Sequence, residues 1–246
     1  MATWIIGDVH GCAVELGQLL GALDLEPTDQ AVVVGDLFHR GPDAWGVVQL
    51  MREHGVQFVL GNHELAMLQR VGLAPSLADG SDRPPLRTSF PPMTVEDLVG
   101  DGRRPLVAPA AQLGELLVFL QGHAGYVLKS DMIENAGQTP DGRAWLVVHA
   151  GIPPKRDPMT CGPKELVYSP RLRGLRSLLW YERYRGPELV LFGHTPNEEP
   201  LVRKVDGQIV ALGLDTGCVY GGKLTAYCPE RDEFVFVPAA DAYATN

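Results

Sequence analysis

One arrangement recurs five times in this chain and limits the folds open to it: a short apolar run, rich in β-branched residues, that stops at Gly or Ala beside a polar cluster. It reads TWIIGD (3–8), AVVVGD (31–36), VQFVLGN (56–62), WLVVHA (145–150) and ELVLFGH (188–194). Apolar runs this short, bounded this way, are predicted to be buried strands rather than helices. Each polar cluster then stands at a strand end.

The stretches between the runs set the strand direction. CAVELGQLLGALDL carries Val14, Leu16, Leu19, Leu20 and Leu23 as an approximate helical stripe. PDAWGVVQLMREHG opens with Pro42 and Asp43, favourable in a first turn, and closes at Gly55. The opening third is therefore β-α-β-α-β, which implies parallel strands joined by right-handed crossovers. Residues 72–109 differ: seven prolines (75, 84, 85, 91, 92, 105 and 109), with Arg83, Arg87, Arg103 and Arg104 among them, break any long element. A long irregular segment inside a compact domain is usually functional or mobile, so this one is expected to be a cap or lid. A helix is predicted over about 110–120. After His194, QIVALGL, KLTAYC and EFVFV are three strand-like runs separated by turn signals, expected to form an antiparallel closing unit. At 246 residues a single domain, 1–246, is expected.

Taken together, Asp8, His10, Asp36, Asn62, His149 and His194 are two carboxylates, three imidazoles and an amide. Mixed oxygen and nitrogen donors without thiolate suit divalent Mn, Fe, Zn or Co rather than a structural zinc. Loops at the carboxyl ends of parallel strands converge on one crevice, so residues far apart in sequence can meet there. Six ligands exceed what one open catalytic ion takes and suit two, with a shared carboxylate holding them roughly 3.5 to 4 Å apart. Singly, each piece has a plainer role. Asp8 could cap the helix that begins near Gly11, and His149 could be a satisfied core residue. The ordered set of five, each on the right kind of element, favours the metal reading.

Charge and cysteine usage narrow the partners. A net charge of −9 and a pI near 5.2 argue against general nucleic-acid binding, which needs a Lys/Arg surplus. Four cysteines without CxxC spacing suggest reduced thiols in a cytoplasm, with Cys12 and Cys218 read as packing residues. A strand is predicted almost from Met1, which leaves no room for a signal peptide, and no apolar run reaches the roughly 18 residues of a membrane span.

The segments GDVHG, GDLFHRG, GNHE, HAG and FGH resemble the calcineurin-like metallophosphoesterases, in the branch that holds phosphoprotein phosphatases and bacterial dinucleoside tetraphosphatases. The likeness runs from residue 4 to about 237. It implies an α/β fold, a β-sandwich of mixed sheets flanked by helices in α/β/β/α layers with a small cap. It also implies two divalent ions, Mn²⁺ first, with Fe, Zn, Co and Mg as the other options. By the same resemblance Asp8 and His10 would bind the first ion, Asp36 would bridge, and Asn62, His149 and His194 would hold the second. His63 would protonate the leaving oxygen, Arg40 would clamp the phosphate, and a metal-bridging hydroxide would attack phosphorus in line. A second arginine is expected across the phosphate, Arg183 in preference to Arg185.

One position departs from the pattern. Protein phosphatases of this branch carry Asp where this chain has His39, whereas the tetraphosphatases commonly lack that Asp. Together with the ending LGLDTGCVYGGKLTAY, this tilts the expectation towards hydrolysis of diadenosine tetraphosphate to two ADP. A phospho-Ser, Thr or Tyr protein phosphatase is the alternative, and a catalytically silent metal-bound scaffold is a third. Asp215 is expected either to orient a ligand His or to form an Asx turn before Gly217. His39 is a loop residue facing solvent or cap, or a catalytic helper. His54 and His123 are read as structural.

Overall fold

The computed structural model describes residues 1–82, 84–99, 105–122, 125–168 and 178–245. Three cap arginines named above, Arg83, Arg103 and Arg104, and His123 lie outside them. In chain order the elements begin β1 (Thr3–Ile6), α1 (Ala13–Leu23), β2 (Gln30–Val33), α2 (Ala44–Glu53), β3 (Gln57–Phe58), α3 (Asn62–Arg70), α4 (Val95–Val99) and α5 (Leu113–Gln121). They continue with β4 (Val127–Lys129), β5 (Trp145–Val148), α6 (Pro163–Val167), α7 (Trp180–Arg183), β6 (Leu189–Phe192), β7 (Leu201–Val205), β8 (Gln208–Gly213), β9 (Lys223–Cys228) and β10 (Glu233–Pro238).

The strands form two five-stranded mixed sheets, ordered β10-β9-β1-β2-β3 and β4-β5-β6-β8-β7. In the first, β1, β2 and β3 are parallel, as the β-α-β-α-β pattern predicts. In the second, β5, β6 and β8 are parallel between antiparallel edge strands. Successive residues of a strand point to opposite faces, and both faces are covered here. Ile5, Val32, Val147, Leu191, Leu212 and Tyr227 belong to one buried cluster drawn from both sheets, the filling of the sandwich. Their neighbours Trp4, Ile6, Val33, Val148 and Val190 join a second cluster with helical residues such as Leu16, Leu19, Val47 and Leu166. That is the physical reason the runs are apolar throughout rather than alternating.

Three expectations are corrected. QIVALGL does not join the closing unit: β8 enters the second sheet parallel to β6, and only β9 and β10 pair antiparallel to close the first sheet beside β1. Val14 lies off the buried face of α1, 56% exposed, while Glu15 is fully buried. Strands β4 and β7 went unread because they are edges; Leu201–Val205 is half polar and only partly buried along its length. Asp8 does not cap α1, whose N-cap is Cys12, without a side-chain bond. Asp43 caps α2, accepting from the Gly46 N–H at 2.8 Å. All four cysteines are free and buried. Among the described residues no helix is long and apolar enough to cross a membrane.

Candidate metal centre

Every motif residue sits where a parallel strand ends. Asp8 and His10 follow β1, Asp36 follows β2, Asn62 opens α3 after β3, His149 follows β5 and His194 follows β6. The two sheets therefore present their carboxyl edges to one crevice. Backbone hydrogen bonds tie the loops there to one another. His10 and Gly11 donate their N–H groups to the Asp36 and Leu37 carbonyls at 2.8 and 2.7 Å. Glu64, fully buried in the first turn of α3, accepts from the N–H groups of Asp36, Leu37 and Gly61 at 2.9, 2.9 and 3.0 Å. The sheets are joined by the His194 N–H, which donates to both oxygens of Asp8 at 3.1 and 3.2 Å. Gly193 permits that approach, because a Cβ there would collide with the Asp8 carboxylate. Gly35 is similar: its φ of +106° and its contact with Gly61 and the His149 ring exclude a side chain.

The backbone is strained where the chemistry is. His10, Asp36, Arg40 and His194 all have positive φ (48°, 52°, 82° and 75°). Non-glycine residues adopt that region only when their surroundings hold them there, and they gather at functional sites.

The side chains converge. His149 Nε2, His194 Nδ1 and Asn62 Oδ1 form a near-equilateral triangle with edges of 3.0, 3.1 and 3.0 Å. Asp36 Oδ2 lies 3.5 Å from His149 Nε2 on one side and 3.7 Å from both His10 Nε2 and His63 Nε2 on the other. Asp36 is thus shared by two close-set groups, His10–Asp36–His63 and Asp36–His149–His194. Asp8 stands outside both groups, its carboxylate engaged with the His194 N–H. Arg40, half-buried, donates from a guanidinium nitrogen to His10 Nε2 at 3.3 Å and packs over the Tyr220 ring at 5.5 Å.

Two observations test whether these residues fit a cation. His149 Nδ1 is 3.0 Å from the Val34 carbonyl oxygen, which can only accept, so that nitrogen carries the proton. Burial pulls the His149 pKa down to about 3, which keeps the ring neutral and leaves a bare lone pair on Nε2. That lone pair lies 3.0 Å from the amide oxygen of Asn62, so the two converge as donor atoms on one point, as a cation requires. Three donors about 3.0 Å apart stand close enough to serve one divalent ion together. The second observation is charge. Asp8, Glu64 and Asp215 are buried, and burial raises all three pKa values, with Asp36 adding to each. Asp8 goes well above the carboxylate range, Glu64 to about 8 and Asp215 to about 7. Among the described residues Asp8, Asp36, Glu64 and Asp215 outnumber the one guanidinium beside them, that of Arg40, and the donor set fits divalent ions. Burial, helped by the Arg40 guanidinium, holds His10 well below its ordinary value, so it too is a neutral donor.

Comparison with known proteins agrees. The calcineurin-like phosphoesterase family matches residues 1–198. The chain belongs to that family. It is accordingly a metal-dependent phosphoesterase. It is 30% identical to the symmetrical bis(5'-nucleosyl)-tetraphosphatase of Serratia proteamaculans, covering 97% of this chain and 95% of the relative. It is 29% identical to the asymmetrical bis(5'-nucleosyl)-tetraphosphatase PrpE of Oceanobacillus iheyensis, over 97% and 93%. A crystal structure assigned provisionally to a diadenosine tetraphosphatase superposes with a TM-score of 0.68 at 26% identity, over 97% and 94%.

Other residues named from the sequence fall as follows. His39 is buried, its ring centroid 4.6 Å from that of His63, so it does not face solvent. Asp215 makes the Asx turn, accepting from the Gly217 N–H at 3.0 Å. Arg183 and Arg185 are exposed and line a groove with Lys129, Lys155 and Arg156, apart from the metal-centre residues. His54 is the C-cap of α2. Cys12 and Cys218 are buried in the core, with their sulfurs within 4.8 Å of each other and of the Glu15 carboxylate. Sequence reasoning missed Glu64 and Tyr220. Glu64 had a legible signal, an acid at the third position of a helix opening on Gly-Asn, which is the spacing of a cap.

Proposed function

We propose that this phosphoesterase hydrolyses the phosphoanhydride chain of a dinucleoside polyphosphate, diadenosine tetraphosphate in the first instance, at the central bond to give two ADP. The His149–Asn62–His194 triangle carries the chemical reading, since its three converging donor atoms suit a divalent cation. The substrate class draws support from relatives of that activity aligned over nearly the whole chain.

Asp8 and His10 on one side, and Asn62, His149 and His194 on the other, would hold two divalent ions, Mn²⁺ foremost, with Asp36 between them. Such ions supply Lewis-acid polarisation of a phosphoryl oxygen and lower the proton affinity of water. The remaining work falls to the chain's own groups. Arg40, at the mouth and steadied on Tyr220, binds the non-bridging phosphate oxygens with its planar fork. His63, whose N–H is held by Asp36 Oδ1 at 3.1 Å, hands a proton from its ring to the departing phosphate oxygen. The buried ring of His39 packs against it and limits its rotation.

Incubation with Mn²⁺ and diadenosine tetraphosphate, followed by ion-exchange separation, should show ADP as the nucleotide product. ATP plus AMP would overturn central cleavage, and no turnover would overturn the substrate. His63→Asn should lower kcat roughly 10² to 10⁴-fold while bound metal, read by elemental analysis, stays at the wild-type level.

A further inference from the structure

A cavity of about 450 Å³ opens directly beside the metal centre, with His194 in its wall. Its other walls include Tyr168, Tyr181 and Phe192, with Thr195 and Asn197 on the polar side. None of the described residues lining it is Lys, Arg, Asp or Glu. Among the described residues a phosphate finds no counter-charge there, whereas an uncharged ring system needs none. The volume lies in the range of small-ligand pockets.

The aromatic walls differ in what they leave free. Tyr181 and Phe192 stack on each other, with centroids 5.8 Å apart and planes 25° apart, and Trp180 meets Phe192 edge-on at 5.1 Å. Trp180 is itself fixed by its indole N–H, which donates to the Ala150 carbonyl at 3.0 Å. This side of the cavity is rigid. Tyr168, in contrast, stays 41% exposed and meets His194 at right angles, centroids 6.3 Å apart. A large aromatic face left in water beside a metal ligand is a platform for a planar group. On the polar side, the Asn197 amide NH₂ donates to the Thr195 carbonyl at 2.8 Å and its backbone N–H to the Asp215 carbonyl at 3.0 Å. Its amide oxygen is an acceptor suited to an exocyclic amino group such as that of adenine.

We infer that this cavity is the subsite for one purine base of the substrate, stacked on Tyr168 and read by Asn197, while the phosphate chain lies at the metal centre. The inference rests on the dinucleoside polyphosphate reading. Two other cavities lack the same chemistry. The groove of Lys129, Lys155, Arg156 and Arg183 is cationic, and the one between α3 and α6 has no aromatic wall among its described residues.

The test has two arms, both on the Mn²⁺-loaded full chain. In the first, kcat/KM is measured for diadenosine tetraphosphate and for p-nitrophenyl phosphate. Tyr168→Ala should lower the ratio of the two about 10 to 100-fold, chiefly through KM for the dinucleotide, and Tyr168→Phe should restore it to within about twofold. In the second, titration calorimetry compares ADP with inorganic pyrophosphate. The wild type should bind ADP more tightly, and Tyr168→Ala should remove that preference. Equal losses on both substrates, or an ADP preference that survives Tyr168→Ala, would overturn the subsite. Should the wild type fail to turn over the dinucleotide at all, the substrate reading falls, while the calorimetry still decides whether the cavity takes a purine.

Discussion

The metal centre and the proline-rich segment 72–109 meet at the loop that carries Arg40, yet they are held by opposite means. In the centre, Asp8, His10, Asp36, Asn62, His63 and His149 are at most 5% exposed, polar groups taken out of water and fixed by backbone donors from several strands. In the segment, Leu77, Leu86 and Val107 are 50, 67 and 49% exposed, although Ala78, Leu98 and Leu106 are buried in the core. Tyr126 donates to the Pro75 carbonyl at 2.9 Å, Gln121 accepts from the Arg87 N–H at 3.1 Å, and Arg40 donates its own N–H to the Pro105 carbonyl at 2.7 Å. Leu106 bridges His39 in an isolated antiparallel pair. One region stores electrostatic cost and backbone strain that a cation relieves. The other carries little of either, and it acts on the site through the few atoms that pin His39 and Arg40.

Removing metal should break this contrast most sharply. Chelation is expected to abolish hydrolysis and to leave a protein whose stability falls as pH rises. The sign follows from the raised carboxyls. Glu64 near 8 and Asp215 near 7 hold protons in the folded state that the unfolded chain has released above pH about 4. Their stabilisation of the apo protein is complete below that pH and is lost as pH climbs through 7 to 8. Below about pH 7 the neutral buried His10 and His149 oppose this trend, since the unfolded chain protonates them there, so the comparison is made above it: chelated protein should melt at a lower temperature at pH 9 than at pH 7, with the metal-loaded protein lacking that decline. An apo protein more stable at pH 9 than at pH 7 would sink the idea.

Next in size is Glu64→Gln, which puts an NH₂ where three backbone N–H groups need acceptors. It should cut activity about 10 to 100-fold and weaken metal retention, although Glu64 is not among the proposed ligands. Wild-type metal content and rate in this variant would show that the loops hold their geometry without it. The smallest effects belong to the segment, and they should divide within it. Leu106→Ala, at the bridge to His39, is buried and should cost about 2 to 3 kcal/mol in urea denaturation with a few-fold loss of kcat. Leu86→Ser, two-thirds exposed, should stay within about 0.5 kcal/mol. If Leu86→Ser impaired the enzyme as much as Leu106→Ala, the segment would act along its whole length rather than at its pinned end.

Much of this site was legible from residue order. The strand-end clusters named the residues that surround the centre, because a short apolar run followed by Gly and a carboxylate or imidazole leaves few structural uses for the polar group. The ending was less legible. QIVALGL, KLTAYC and EFVFV each look like a strand, but nothing local says that the first pairs parallel with β6 while the other two flank β1. Strand pairing is a long-range choice, made by which face finds apolar cover. His39 shows the same limit: as a residue type it marked a departure, and only the fold buried it against His63.

The sequence by itself determined the strand ends, the parallel opening unit and the identity of the polar groups. These follow from short-range periodicity and from side-chain chemistry that every residue carries with it. The tertiary structure alone decided that two sheets share one carboxyl edge, that Val34 fixes the His149 tautomer, and that Glu64 binds two loops. It also decided that Tyr168 stands exposed beside His194. Each of these depends on distances between atoms remote in the chain, and burial is what converts those distances into charge states and forces.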